Sequence, residues 1–215
     1  MSSYFYLGIP DHFMKRLCAV REPYDNLWNT LILIEAINSC PDLRTEHYEG
    51  GFDVAIFTKD LDRFLIKKSD GYFSMSNPFQ VVLGDNEISF NCDLLEEPVS
   101  GRFISIMRNA IETVRGGIFS HDDIVLSLHE NFNMDWSEAA AYSDTFASII
   151  AGDHGYFRFD DDENNEDGHI HPRYHFDIFF RNSSSIKIGY DRVAGVECFL
   201  SLTDKNHPKK YLQNI

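Results

Sequence analysis

The sequence predicts an α+β fold, with antiparallel sheets drawn from residues 46–95 and 156–202 and a three-helix segment over 102–150 between them. Three observations carry that expectation. Apolar residues alternate over 46–95, switch to helical spacing over 102–150 and return to alternation after 156. The joins between extended runs are short and rich in turn residues, which favours antiparallel hairpins over parallel crossovers. Eighteen Phe and ten Tyr among 215 residues suit pleated surfaces. The length fits one domain over 1–215, with a subdivision into an α/β part (1–98) and a helical plus meander part (99–215) as the alternative.

The first predicted element is a buried helix over 24–38. Leu27, Leu31, Leu33, Ile34 and Ile37 form a stripe too wide for a surface helix, so it should cover a sheet face, and Pro41 marks its end. Strands are expected at 52–58, 64–68, 79–83 and 88–94. The breaks between them carry GG at 50–51, SDG at 69–71, SNP at 76–78 and GDN at 84–86. Over 87–94, Ile88, Phe90, Cys92 and Leu94 alternate with polar residues, the pattern of a strand with one face in the core.

Residues 102–115 place Phe103, Ile106, Met107, Ala110, Ile111 and Val114 on one helical face, and Gly116–Gly117 stops it. Ser120 is a natural N-cap for the next helix, and Asp135 with Glu138 has capping-box spacing for the third. Extended runs at 156–160, 174–181, 186–190 and 196–202 then complete a meander. Three helices followed by a hairpin is also the order of a winged helix-turn-helix. A DNA-reading version is disfavoured, because the third helix has no Lys or Arg and the hairpin tip, 160–167, holds six carboxylates.

Lys and Arg number 19 against 34 Asp and Glu, a formal net charge of −15. Such a chain repels phosphate backbones and anionic membranes, so neither direct DNA binding nor membrane binding is expected. A basic protein partner, or solubility alone, is compatible with it. Cys18, Cys40, Cys92 and Cys198 are scattered with no CxxC, which gives no zinc knuckle or disulfide framework. No apolar run approaches the ~20 residues of a membrane helix, and the N-terminus lacks a basic n-region, so the cytoplasm is the expected compartment.

The segment 169–177, HIHPRYHFD, is the chemically richest. On an extended chain His175, Asp177 and Arg181 share one face while Tyr174, Phe176, Ile178 and Phe180 share the other. On the preceding strand Arg158 and Asp160 lie opposite Phe157 and Phe159. If the strands pair, Arg158, Asp160, His175 and Asp177 converge as candidate catalytic residues, and His171, His175 and Asp177 are candidate metal ligands. Imidazole with carboxylate suits zinc or manganese, and a metal-bound water attacks phosphodiesters. The alternative is an ion-pair lattice on a solvated sheet face, in which Arg158 and Arg181 neutralise the aspartates and the histidines are spectators. Asp160, Asp162 and Asn164 have the opening spacing of an EF-hand loop, but Asn165 and His171 break the pattern. His121 and His129 are read as surface residues. The signatures GxSxG, GxxxxGK[ST], GxGxxG and HExxH are absent.

Arg158-x-Asp160, His171-Pro-x-x-His175 and a serine-rich turn into 186–189 together resemble the C-terminal part of small bacterial proteins from mobile-element, toxin–antitoxin or phage-defence loci. The resemblance covers about 155–190 and implies a bacterial, antiviral-defence context without assigning a reaction. The leading expectation is therefore a non-enzymatic, protein-interaction subunit that assembles with a larger protein and needs no cofactor. A metal-dependent phosphodiesterase or nuclease built on the 158–177 cluster, with one divalent metal, is the alternative.

Overall fold

A computed structural model describes residues 2–45, 51–58, 61–84, 87–115, 117, 119–152, 154–168, 170–178 and 187–209. The fold is α+β, and every strand pair is antiparallel. In chain order the elements are β1 (Ser2–Tyr6), α1 (Asp11–Met14), α2 (Pro23–Ser39), β2 (Arg44–Thr45), β3 (Val54–Thr58), β4 (Arg63–Lys68) and β5 (Gly71–Ser76). There follow β6 (Gln80–Leu83), β7 (Ile88–Cys92), β8 (Glu97–Pro98), α3 (Gly101–Arg115), α4 (His121–Phe132) and α5 (Trp136–Ala151). The chain continues through β9 (Phe157–Asp161), β10 (Tyr174–Asp177), β11 (Ile188–Gly189) and α6 (Val196–Thr203). Among the described residues, no helix is long and apolar enough to cross a membrane.

The chain divides into two compact units that alternate along the sequence rather than meeting at one cut near residue 98. The sheet unit comprises Met1–Gly8, Arg44–Ser76 and Gly155–Ile215, and the helical unit Ile9–Leu43 and Asn77–His154.

In the sheet unit the strand order is β11-β10-β9-β5-β4-β3-β1-β2. One face carries Phe5, Ala55, Phe57, Leu65, Phe157, Phe159 and Phe176, and α6 packs on it through Phe199, 4.8 Å from the Phe57 ring. Residues 196–202 were predicted as a strand and are this helix instead. Val196, Phe199 and Leu200 recur at helical spacing, and a short apolar run satisfies either period. Four strands, β1, β2, β5 and the small sheet's β8, lie beyond those predicted. The hairpin β9–β10 is no wing. Its first strand pairs with β5 as well as β10, which makes it an interior part of the sheet.

In the helical unit, α2 begins with a reciprocal capping box between Glu22 and Asp25, with Pro23 in its first turn. As its wide stripe requires, α2 is buried nearly all round, and it packs on α3, α5 and β7 of the small sheet β6-β7-β8. Ser120 Oγ accepts from Asp123 N at 3.2 Å and Asp135 Oδ1 from Glu138 N at 2.7 Å, so both predicted N-caps form. Asn133, with φ 52°, closes α4 in the left-handed region.

Candidate functional site

Strand alternation builds a polar cluster at one end of the sheet. In the β9–β10 register Asp177 faces Arg158 and His175 faces Asp160, and each such pair points to the same side. Phe157, Phe159 and Phe176 thereby turn to the α6 side. On the cluster's side, the pairing of β3, β4 and β5 sets Ile56, Phe64, Ile66 and Met75, all fully buried. The polar residues thus continue an apolar face. On the far side β11 pairs Gly189 with His175, and strand parity brings Lys187 onto the same face.

Gly71 is what lets β5 approach β9. It pairs with Asp160, has φ +148°, and a Cβ there would stand 1.9 Å from the Phe159 carbonyl oxygen.

The side chains converge closely. Arg158 Nη2 lies 2.6 Å and Nε 3.0 Å from Asp177 Oδ2, and Nε also lies 2.9 Å from Asp160 Oδ2. His175 Nδ1 is 2.8 Å from the Pro172 carbonyl oxygen. A carbonyl only accepts, so Nδ1 carries the proton and Nε2 offers a lone pair. Lys187 Nζ donates to that Nε2 at 2.7 Å and stands 3.4 and 3.5 Å from the two Asp177 oxygens. Side-chain exposure is 0% for His175, 9% for Asp177, 20% for Lys187 and 29% for Arg158.

The two carboxylates are pushed apart. Burial raises the Asp160 carboxyl above its ordinary value, against the opposing charges of Arg158 and Lys68. Burial acts in the same sense on Asp177, but the Arg158 hydrogen bond and charge, helped by Lys187, outweigh it and hold Asp177 below the usual range. The same carboxylates raise the Arg158 guanidinium despite its partial burial.

All four candidate catalytic residues, Arg158, Asp160, His175 and Asp177, are brought together. They are not on a solvated face, because the sheet continues past them into apolar side chains, and His175 is no spectator. Of the candidate metal ligands, His175 and Asp177 group with Asp160, their ligand atoms all within 4.8 Å of one another. His171 stands beside them, its ring 4.8 Å from that of His175, but its Nε2 turns to Asp162 at 3.7 Å. Its Nδ1 is buried without a hydrogen-bond partner among the described residues. His169 and Arg181 lie outside the described residues. The carboxylates of the 160–167 loop are partly neutralised by Arg173, which pairs with Asp161 and Glu163, and Asn165 donates to Asp162.

Lys187 is the member that sequence reasoning missed. Its odd number matches the parity of His175 and Asp177, but the register linking β11 to β10 across the serine-rich turn is set by pairing and not by local pattern.

A second feature lies in the helical unit. It holds eighteen carboxylates against six Lys and Arg, a net of −12, whereas the sheet unit holds sixteen against thirteen, a net of −3. Lys15, Arg16, Arg102, Arg108 and Arg115 each pair with a carboxylate of the helical unit. Residues 116–157 contain no Lys or Arg. Along α4, Asp122, Leu126 and Glu130 form an exposed ridge at four-residue spacing. On α5, Trp136 is 56% exposed, with the His129 ring stacked on it at 4.0 Å, and His121 Nε2 meets Asp144 Oδ1 at 3.0 Å. The two α4 histidines thus tie the helix pair together at both ends.

Comparison of the chain with family models, with curated proteins and with solved structures returns no match.

Proposed function

We propose that the chain is a protein-interaction subunit that binds a basic partner through the outer face of α4 and α5. The observation that carries this reading is the uncompensated charge. Of the helical unit's net of −12, −7 falls within 116–154, where no Lys or Arg occurs, and this stretch carries the exposed apolar side chains of Leu126 and Trp136. Interfaces of this kind pair apolar anchors with a complementary charged rim, which steers encounter and rejects like-charged competitors. The complementary surface is one with Lys and Arg around an apolar residue. The context implied by residues 155–190 makes the partner a larger protein of a bacterial defence assembly.

The metal-dependent hydrolase is the weaker reading. Two cations, Arg158 and Lys187, already balance the two carboxylates of the cluster, and His175 is fully buried, whereas hydrolysis needs ligands open to water and substrate.

The test is affinity capture from the native host, followed by calorimetry with the purified captured protein. Binding should weaken with salt, and the double substitution Asp122→Lys with Glu130→Lys should weaken it about tenfold or more, by about 1.4 kcal/mol. Trp136→Ala should cost at least as much. Capture of nothing, or affinity indifferent to all these changes, would sink the reading.

A further inference from the structure

We propose that Asp160, His175 and Asp177 form a binding site for a first-row divalent transition metal, and that the Lys187 ammonium is its built-in competitor. The inference concerns the sheet unit and is independent of the interaction surface on α4 and α5.

The ligand set is already arranged. Metal-binding histidines commonly anchor one ring N–H on a backbone carbonyl, which fixes the tautomer and aims the other nitrogen at the ion. His175 does this through Pro172, and its Nε2, now occupied by Lys187, faces both carboxylates. Tetrahedral zinc with bonds of about 2.0–2.1 Å sets its ligand atoms roughly 3.3–3.5 Å apart. Here Nε2 lies 3.6 Å from Asp160 Oδ2 and 4.0 Å from Asp177 Oδ2. Contraction by about 0.1–0.3 Å towards Asp160 and about 0.5–0.7 Å towards Asp177 brings both into that range, and all three ligand atoms already lie within 4.8 Å of one another. His171 adjoins the site, its ring 4.8 Å from that of His175, but it lies outside the group of three, so water supplies the fourth position.

Lys187 stands where the ion would go. Its Nζ contacts the same Nε2 and the same Asp177 carboxylate, so it fills with one positive charge a position made for a cation. Ammonium and metal exclude each other, because both need the single lone pair of Nε2 and two cations at that spacing repel. The lysine is also the easiest member to displace. Its stem is flexible and its side chain is 20% exposed, so the ammonium can swing to solvent. Lys187 precedes the short strand β11, in which, among the described residues, Ile188 and Gly189 pair with β10. Arg158 holds the Oδ2 atoms of both carboxylates rather than the imidazole, so departure of the lysine is enough to free Nε2.

The experiment is a zinc titration against a chromophoric chelator, using full-length protein without a histidine tag. Lys187→Met should bind one equivalent of zinc roughly tenfold or more tighter than wild type, the scale by which groups contacting a ligand tune a site. Adding His175→Gln to that variant should abolish the gain, and cobalt(II) should report tetrahedral coordination by its visible absorption. Lys187→Gln serves as a second variant. If neither variant folds, wild type at millimolar zinc should take up one equivalent that His175→Gln or Asp160→Asn removes. Variants that bind zinc no better than wild type, retention of zinc after His175→Gln, or in that last case no uptake at all, would overturn the proposal.

Discussion

Asp177 and Asp160 look alike in sequence, yet their isosteric replacements should have opposite consequences for stability. Asp177 is almost fully buried and takes both Arg158 contacts at 2.6 and 3.0 Å as well as the Lys187 ammonium. Removing one partner of a buried pair typically costs about 3–5 kcal/mol, because a cation is left without its counter-charge. Asn keeps one acceptor oxygen, and Arg158 retains Asp160 and some solvent. Asp177→Asn should therefore cost about 2–3 kcal/mol near neutral pH. For Asp160, burial outweighs the neighbouring cations, so its ionised form is disfavoured in the folded chain. Asp160→Asn should be within about 1 kcal/mol of wild type, or slightly more stable.

The pH dependence follows with opposite signs. Asp177, depressed in the folded state, contributes stability that is complete above the unfolded value of about 3.9 and is lost as pH falls through the lower folded value. Asp160, raised in the folded state, carries a cost that is complete above its folded value and is relieved as pH falls from there towards about 3.9. Urea unfolding followed by tryptophan fluorescence and circular dichroism, at neutral pH, just above pH 4 for Asp160 and at about pH 3 for Asp177, measures both. Equal losses from the two substitutions, or a larger loss from Asp160→Asn, would refute the assignment of Asp177 as the stabilising carboxylate.

Two further outcomes are expected. Gly71→Ala should cost several kcal/mol and loosen the β5–β9 pairing, since its Cβ would fall 1.9 Å from a backbone oxygen at φ +148°, whereas Gly101→Ala, with nothing within 4 Å, should be close to neutral; thermal melts compare them directly. The isolated chain should show negligible affinity for duplex DNA at physiological salt, and submicromolar, salt-sensitive binding in an anisotropy titration would contradict the charge argument.

The helices were legible because each carries its own start signal and a period that only a helix satisfies. Ser120 and Asp135 cap as their sequence context implies, and the stripe from Phe103 to Val114 is buried throughout. Residues 196–202 were not legible, because Val196, Cys198, Leu200 and Leu202 alternate as well as they wind. What decides for the helix is the aromatic face awaiting Phe199, a tertiary fact. Strand β5 escaped notice because its turn signals on both sides made it look like part of a break. The convergence of Arg158, Asp160, His175 and Asp177 followed from parity alone. Their burial did not, since parity names a face and says nothing of what the rest of the sheet puts on it.

The same distinction governs how the charge should be read. A total of −15 is a statement about the whole chain, and it suggests an evenly acidic surface. The fold divides it unevenly, because the sheet unit gathers thirteen of the nineteen Lys and Arg, five from 44–76 and eight from 155–215. There, carboxylates such as Asp160, Asp161 and Asp177 meet cations within the unit, and their charge is consumed by structure. On α4, Asp122, Asp123 and Glu130 have no lysine or arginine in their stretch of chain to consume theirs, whereas Glu138 of α5 pairs with Arg102. Charge already neutralised at close range contributes little to long-range attraction, while uncompensated charge acts over roughly a Debye length of 8–10 Å. The residues with the most suggestive chemistry, those of the 158–177 cluster, are therefore the ones least able to attract a partner from solution. The plain acidic helices are the ones best placed to do so.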